Sequence, residues 1–556
     1  MTTRLRGVGV SPGMAIGEVR RMGAAPVEPP TRRIDPAEAP AEQKRARQAT
    51  EGVAADLMAR GNAAGGQAQE VLRAQSMMAE DPELITDVER RIAAGAGAER
   101  AVYDAFAGYR KLLAAAGDHL AARVADLDDV RDRIVARLLG VPMPGVPEGD
   151  EPYVLVARDL APADTALLDP ALVLGFVTEE GGPTSHSAIL ARALGVPAVV
   201  ALREAARLAD GTVVAVDGST GEVLVNPSAE ERAERARLAR EREAERAAVT
   251  GPGATRDGHR VPLLANIGGP ADVAAAVEAG AEGVGLLRTE FLFLDGGERA
   301  PSEEVQSTAY RQVLEAFPEG RVVVRVLDAG ADKPLPYLTR GEEPNPALGV
   351  RGLRALLERP EVLAGQLRAL ARAAEGLPVY LEVMAPMVAD RADARAFADA
   401  CRAAGLKAKA GAMVEIPAAA LRARSVLQEV EFLSLGTNDL AQYAFAADRQ
   451  AGAVSRLQNP WQPALLDLVA MTAEAAKAEG KSCGVCGEAA GDPLLACVLT
   501  GLGVTSLSMA SVALAGVRAA LAEHTLAQCE RAAAAARAAD SAEQARLAAE
   551  ATLAAR

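Results

Sequence analysis

The sequence predicts a multidomain α/β protein that ends in a closed barrel of eight parallel strands. Half of the 556 residues are apolar, which is enough to build several cores. Two joints rich in proline and glycine, at 26–30 and 140–152, separate segments of different character. Beyond Pro252, eight apolar segments alternate with helical ones over about 260 residues, the number and size typical of a (β/α)8 TIM barrel.

The N-terminal half predicts a small α/β domain interrupted by helices. Strand-like segments rich in valine occur in the first 20 residues and again between 153 and 227. The intervening text is alanine, arginine, glutamate and leucine, typical of a bundle of long helices, with a break at EDPELI (80–85). We therefore expect residues 1–25 and 143–228 to form one domain with a helical bundle, 26–142, inserted. Residues 229–253 read as a linker helix that is polar on all sides.

The predicted barrel covers residues 254–530, and the last residues, 531–556, read as an alanine-rich helix or a frayed tail. Its eight predicted strands are LLANI (263–267), GVGLL (283–287), VVVRVL (322–327), VYLEVMAPM (379–387), AMVEI (412–416), FLSLG (432–436), SCGVCG (482–487) and TSLSM (505–509).

Composition limits the classes of function. A formal net charge of −15 argues against generic nucleic-acid binding, which needs a basic surface. Five cysteines are too few for a disulfide framework and suit a reducing compartment. The N-terminus has no signal-peptide apolar run, and no apolar stretch is long enough to span a membrane. We expect a soluble, cytoplasmic protein with no nucleic-acid or membrane partner.

Polar residues gather where the predicted barrel strands end, which is where active sites of this fold lie. Arginines clamp phosphate and carboxylate oxygens with forked hydrogen bonds. Two carboxylates together with substrate oxygens suit Mg²⁺. A single arginine near a strand end is more often part of a surface ion pair. A functional site is indicated only because several such residues fall on the same predicted rim. The candidates on this rim are Arg288, Arg325, Glu415, Asn438, Asp439, Arg449 and Cys486.

A second candidate site is the segment GGPTSHSAILARALGVPAVV (181–200). Thr184 and Ser185 are good N-cap residues, so His186 is expected in the first turn of a helix. Free N–H groups and the helix dipole there favour an anion and a neutral, nucleophilic imidazole. The alternative is an ordinary histidine in a capping region, which is the reading we keep for His119, His259 and His524.

Cys483 and Cys486 form a lone CxxC within a predicted strand. A structural zinc site needs a second pair, and a thioredoxin-type dithiol begins a helix. A single thiol that donates or accepts a proton is the favoured use of Cys486.

Several of these segments together resemble the phosphoenolpyruvate-utilising phosphotransferases over nearly the whole chain. The similarity is carried by GGPTSHSAI with ARALGVPAV, the phosphohistidine motif, and by six barrel motifs in order. Within that family, the length and the inserted bundle, with AQSMMAEDPELI (74–85), are similar to the Enzyme I family of the sugar phosphotransferase system. The barrel motifs are EGVGLLRTEFLF (282–293), VRVLDAGADKPLPY (324–337), NPALGVRGLR (345–354), MVEIPAAA (413–420), EFLSLGTNDLAQYAFAADR (431–449) and GVCGEAAGD (484–492).

The resemblance implies a reaction and a role for each candidate residue. Phosphoenolpyruvate binds at the barrel mouth with Mg²⁺, His186 on its swivelling domain attacks phosphorus, and Cys486 protonates the enolate to pyruvate. The phosphoryl group then passes to the phosphocarrier protein HPr, docked on the bundle, in the first step of sugar uptake. A homodimer through the barrel is a further implication. By motif position, the substrate ligands are Arg288, Arg325, Asn438, Asp439 and Arg449, and the metal ligands are Glu415 and Asp439.

Two positions depart from the family pattern. Pro183 stands where arginine is best known, and Ala331 stands where a second glycine is usual. Two other classes of function stay open from the residues: a lyase- or aldolase-type barrel enzyme acting on a pyruvate enolate, and a relay that has lost its chemistry.

Overall fold

The chain forms two compact units, Met1–Ala236 and Arg237–Arg556. The computed structural model describes residues 2–11, 13–23, 28–64, 66–115, 118–141, 145–147, 151–158, 160, 168, 171–181, 187–188, 191, 195–294, 299–330, 335, 337–338, 343, 345–448 and 452–555. Within these residues, no helix is both long and apolar enough to cross a membrane.

The first unit contains a mixed sheet of eight strands. In order across the sheet they run β1-β8-β7-β3-β4-β5-β6-β2, with parallel pairing from β3 to β6 and antiparallel pairing at both sides. The N-terminal strands therefore share one sheet with the strands that follow residue 150, as predicted. The strands are β1 (Thr3–Arg6), β2 (Val8–Ser11), β3 (Met14–Arg21), β4 (Tyr153–Ala157), β5 (Val173–Thr178), β6 (Ala198–Val200), β7 (Val213–Asp217) and β8 (Glu222–Val225).

In the described part of the segment between the neighbouring strands β3 and β4, five helices follow one another. They bury a core of their own that includes Val53, Ile92, Phe106 and Ile134. The predicted break is confirmed, because the Asp81 carboxylate caps the third helix by accepting hydrogen bonds from two backbone N–H groups. The helices are α1 (Ala39–Ala64), α2 (Gly66–Ala79), α3 (Pro82–Ala93), α4 (Ala98–Ala115) and α5 (Asp118–Leu139); the polar helix predicted after the sheet is α6 (Ala229–Ala248).

The second unit contains the predicted barrel. All eight strands are parallel to their neighbours, and the last pairs with the first to close the barrel. Its interior is filled by side chains such as Leu286, Met384 and Phe432. The strands are β9 (Leu263–Ile267), β10 (Gly283–Leu287), β11 (Arg321–Arg325), β12 (Tyr380–Ala385), β13 (Lys409–Val414), β14 (Phe432–Leu435), β15 (Ser482–Val485) and β16 (Ser506–Met509).

Helices cover the outside of the barrel strands, and a continuous apolar core lies between the two layers. They are α7 (Val273–Glu278), α8 (Glu290–Leu294), α9 (Glu303–Glu315), α10 (Leu353–Glu358), α11 (Pro360–Ala374), α12 (Arg391–Ala403), α13 (Pro417–Leu421), α14 (Ala423–Val426), α15 (Thr437–Ala444), α16 (Pro463–Ala478), α17 (Pro493–Gly501), α18 (Leu514–Glu523), α19 (Leu526–Arg537) and α20 (Ala542–Ala554).

The alanine-rich C-terminal segment is helical and packed. Its helices α19 and α20 bury Ala533, Ala536, Ala545 and Leu553 in the same core as the barrel helices. Small side chains let α19 approach α17 closely, so the low complexity of this segment reflects close helix packing. Of the two predicted alternatives, the structure shows a helix.

The contact between α17 and α19 makes Gly501 a sensitive position. A Cβ atom added there would lie 2.1 Å from the carbonyl oxygen of Cys529 and 2.7 Å from the backbone nitrogen of Glu530. We expect Gly501→Ala to lower the free energy of unfolding by about 1–3 kcal/mol, because backbone must shift to make room. Gly516→Ala in α18 is the matched control, since its Cβ would meet the nearest atom at 3.4 Å. Thermal unfolding that is equal for both variants would contradict this reading.

Candidate active site

The predicted rim residues that the structure describes lie at the carboxyl ends of the barrel strands. Arg288 follows β10, Arg325 ends β11, Glu415 follows β13 and Cys486 follows β15, while Asp439 lies in the first turn of α15 after β14. Parallel strands in a closed barrel end on one face, so these side chains share that face. Arg325, Glu415, Asp439 and Cys486 are mostly or fully buried, whereas Arg288 is exposed.

A chain of alternating charges runs along this rim. The Arg325 guanidinium pairs with Glu290 at 2.8 Å and with Asp328 at 2.9 Å. Arg351 holds both oxygens of Asp328 at 3.0 and 2.9 Å and reaches Asp439 at 3.1 Å. Burial disfavours the charge of each arginine, but the facing carboxylates outweigh it and raise both arginine pKa values. Arg325 and Arg351 therefore stay charged, and their fork geometry is held before any substrate binds.

Three residues in this row of alternating charges were not predicted from the sequence: Glu290, Asp328 and Arg351. Each stands within a motif that the sequence analysis quoted, but none is the residue at a strand end. Arg351 belongs to the long segment between β11 and β12, where strand position carries no information about the site. Only the pairing of Arg351 with Asp328 and Asp439 reveals its place.

Arg325 and Arg288 both keep unused hydrogen-bonding capacity. The Nε of Arg325 is buried and has no hydrogen-bond partner among the described residues. Arg288 has no acidic partner within the described part of the chain. A buried N–H without a partner is rare in proteins, and an anionic ligand would satisfy it.

Glu415 is the most perturbed carboxyl group on the rim. Its side chain is buried, and Oε1 accepts a hydrogen bond of 2.7 Å from the Met387 N–H. Burial, then the negative charges of Asp439 and Asp328, raise the pKa of Glu415 to about 8, although Arg325 acts in the opposite sense. Negative charge at this point is therefore not fully compensated by the protein.

These carboxylates fit a hard divalent cation that shares its ligands with a substrate. In the residues that the structure describes, no group of three or more His, Cys, Asp or Glu side chains is arranged to hold a metal. The raised pKa of Glu415 shows that the protein alone does not balance a negative charge there. An ion such as Mg²⁺, which takes one or two carboxylates and completes its shell with waters and substrate oxygens, would supply that positive charge.

The Cys486 thiol faces the barrel interior beside this cluster. It donates a hydrogen bond of 3.6 Å to the carbonyl oxygen of Leu435. Burial raises the pKa of Cys486 to about 11, so the group is a protonated thiol at neutral pH. Cys483 lies in the core between the barrel strands and the outer helices. The two thiols of the CxxC therefore lie on opposite sides of the strand wall.

Asn438 is fixed to the loop after β15. Its amide nitrogen donates to Glu488 Oε1 at 3.4 Å, and its oxygen accepts from the Glu488 N–H at 3.3 Å. The carboxamide is partly exposed at the rim.

Two of the predicted site residues, His186 and Arg449, lie outside the described residues, as do the departures Pro183 and Ala331. Ser187, next to His186, is helical and buried, and its hydroxyl accepts a hydrogen bond of 3.1 Å from the Leu160 N–H.

A parallel barrel with arginines, carboxylates and a thiol at the carboxyl ends of its strands is typical of an enzyme acting on a small anionic substrate. Comparison with known families agrees along the chain. Residues 242–526 match the PEP-binding domain of PEP-utilising enzymes, residues 149–221 their mobile domain and residues 6–123 their N-terminal domain.

Curated relatives match over most of their length. The phosphoenolpyruvate-protein phosphotransferase of Streptomyces coelicolor is 80% identical over 553 residues, covering 100% of both chains. Those of Staphylococcus carnosus and Bacillus subtilis are 43% and 38% identical, covering 81% and 92% of this chain and 81% and 93% of their own. The chain belongs to the PEP-utilising enzymes, where PEP is phosphoenolpyruvate. This membership implies a metal-dependent enzyme.

Proposed function

We propose that the chain takes the phosphoryl group of phosphoenolpyruvate onto His186 and passes it to the phosphocarrier protein HPr. Phosphoryl transfer from phosphoenolpyruvate to protein is the reaction named in relatives that align over 100% and 81% of this chain. A phosphocarrier protein is then the acceptor, and HPr, which starts sugar uptake, is its proposed identity. The observation that carries the proposal is the rim where Arg325, near Glu415 and Asp439, has a buried Nε with no partner among the residues that the structure describes.

The arginines bind the substrate and stabilise charge in the transition state. Arg288, Arg325 and Arg449 hold phosphate and carboxylate oxygens, and Asn438 adds hydrogen bonds. Phosphoryl transfer needs little covalent help from the protein, so positioning and charge stabilisation supply most of the rate enhancement. Mg²⁺, held by Glu415 and Asp439, would supply further neutralisation of the phosphate charge.

The bond changes balance with residues of this chain and water. The lone pair of His186 Nε2 attacks phosphorus, and the bond from phosphorus to the enol oxygen breaks. The Cys486 thiol then gives its proton to the enolate carbon, which forms pyruvate, and the thiolate recovers a proton from water. Ketonisation makes the proton transfer strongly downhill, which drives phosphorylation of the histidine.

The domains divide this work in the proposal. The α/β domain carries His186 and swivels, the bundle docks HPr, and the barrel binds phosphoenolpyruvate and forms the homodimer. Five cysteines without disulfides suit a cytoplasmic setting. The proposed domain limits are 1–25 with 143–228 for the α/β domain, 26–142 for the bundle, 229–253 for the linker helix, 254–530 for the barrel and 531–556 for the C-terminal tail.

Stoichiometry tests this function. We expect pyruvate release with Mg²⁺ to equal the HPr added plus one equivalent of enzyme, because each phosphoryl group must rest on a protein. Chelation of divalent metal should stop the release. Pyruvate that accumulates beyond the available acceptor would favour the lyase-type alternative, and its complete absence with metal present would favour an inactive relay.

A further inference from the structure

A buried glutamine outside the barrel connects the strand ends that carry Arg288 and Arg325. Gln366 lies on α11 and is fully buried. Its Nε2 donates to the hydroxyl groups of Thr289 at 3.0 Å and Tyr310 at 3.1 Å. Its Oε1 accepts from the Leu327 N–H at 3.0 Å. All the hydrogen-bonding groups of this side chain that a packed interior must satisfy are therefore used.

These contacts lock two backbone segments together. Thr289, which directly follows Arg288, donates its hydroxyl proton to the carbonyl oxygen of Arg325 at 3.0 Å. Leu327 lies two residues after Arg325 and leaves the strand ladder to bond with Gln366. The Gln366 side chain thus bonds to Thr289, just after Arg288, and to Leu327, shortly after Arg325. The Thr289 hydroxyl joins the two segments directly.

The other side of the network is anchored to a helix. The Tyr310 hydroxyl accepts from Gln366 and donates to Gln306 on the same helix, α9, at 3.2 Å. Gln306 in turn donates to the carbonyl oxygen of Pro301 at 2.9 Å. Each hydroxyl and amide group in this network donates and accepts without conflict with its neighbours. The hydrogen bonds therefore all stabilise the same arrangement of side chains.

We propose that Gln366 is a positioning residue that sets the distance between Arg288 and Arg325 for binding phosphoenolpyruvate. It touches neither guanidinium. Glu290 orients the Arg325 side chain directly, whereas Gln366 fixes the backbone from which both arginines extend. The inference rests on the proposed function, in which both arginines bind the substrate.

The test compares steady-state kinetics of Gln366→Met with those of the wild type. Methionine keeps the length and volume but removes all three hydrogen bonds. We expect the KM for phosphoenolpyruvate to rise and kcat/KM to fall by about 10- to 100-fold, the scale of a small misplacement of binding groups. Thr289→Val should show the same change, whereas Thr289→Ser keeps the hydroxyl and should recover most of the loss.

The control is Thr500→Val on α17, which removes a buried hydroxyl that donates to Ala496 at 2.9 Å, away from the rim. It should lower the unfolding temperature and leave KM unchanged. Gln366→Met and Thr289→Val that lose stability but keep the wild-type KM would overturn the positioning role. Arg288→Met separates the two levels of inference. If it also leaves KM unchanged, the proposed site itself fails; if it raises KM, only the role of Gln366 fails.

Discussion

Arg325→Met is expected to reduce kcat/KM for phosphoenolpyruvate by about 1,000-fold or more, since in the proposed function it removes a charged donor that stabilises developing charge in a dry site. Its Nε is buried and has no partner in the described part of the protein, while its other nitrogens are held by Glu290 and Asp328. Arg325→Lys should recover little, because an ammonium group cannot satisfy two carboxylates and a ligand in one plane. Steady-state pyruvate formation measures both variants.

The same strand offers a matched control. Arg321 begins β11 and pairs with Glu382 at 2.6 Å, at the end of the barrel opposite the rim. Arg321→Met also leaves a mostly buried carboxylate short of a partner, a change that costs about 3 kcal/mol of stability in typical cases. It should lower the unfolding temperature without changing KM. Equal kinetic defects in the Arg321 and Arg325 variants would mean that loss of stability, rather than loss of a substrate contact, explains both.

Cys486→Ala is expected to slow proton transfer to the enolate by about 100- to 10,000-fold, the usual contribution of a general acid, with little change in substrate binding. The most direct readout is exchange of the pyruvate methyl protons with solvent deuterium in the presence of enzyme and Mg²⁺. The pKa of Cys486 is raised to about 11, so the thiol stays protonated from pH 7 to near that value. The rate of the protonation step in the wild type should therefore not fall through deprotonation of this thiol over the neutral pH range.

Cys483→Ala provides the control for this position. Its thiol is equally buried but lies in the core between strands and helices. It should keep the deuterium exchange. A Cys486 variant that exchanges normally and only binds phosphoenolpyruvate more weakly would argue against a proton donor.

The barrel and its order were predictable because buried parallel strands are short apolar runs, and all eight runs became strands. Their ends were less predictable, since tertiary contacts decide them. The run at 322–327 ends as a strand at Arg325 because the Leu327 N–H bonds to Gln366 instead of the ladder. The run at 379–387 ends at Ala385, and Met387 adopts a φ of 58° beside Glu415.

The positions of the candidate site residues were predictable to the same degree. Side chains that end strands reach the active rim by geometry alone, so Arg325, Glu415 and Cys486 could be selected from position. Asp328, Arg351 and Gln366 could not, because their places depend on which loop or helix packs against which strand end. The sequence likewise shows alanines near the C-terminus without showing that α19 and α20 complete the barrel core.

Labelling with radioactive phosphoenolpyruvate tests the central claim, that His186 carries the phosphoryl group. Wild-type enzyme and His186→Ala are each incubated with labelled substrate and Mg²⁺, and HPr is then added. We expect acid-labile label on the wild type, its transfer to HPr, and no label on His186→Ala, whose barrel should still bind phosphoenolpyruvate. Acid-labile label on His186→Ala that passes to HPr at the wild-type rate would contradict the account.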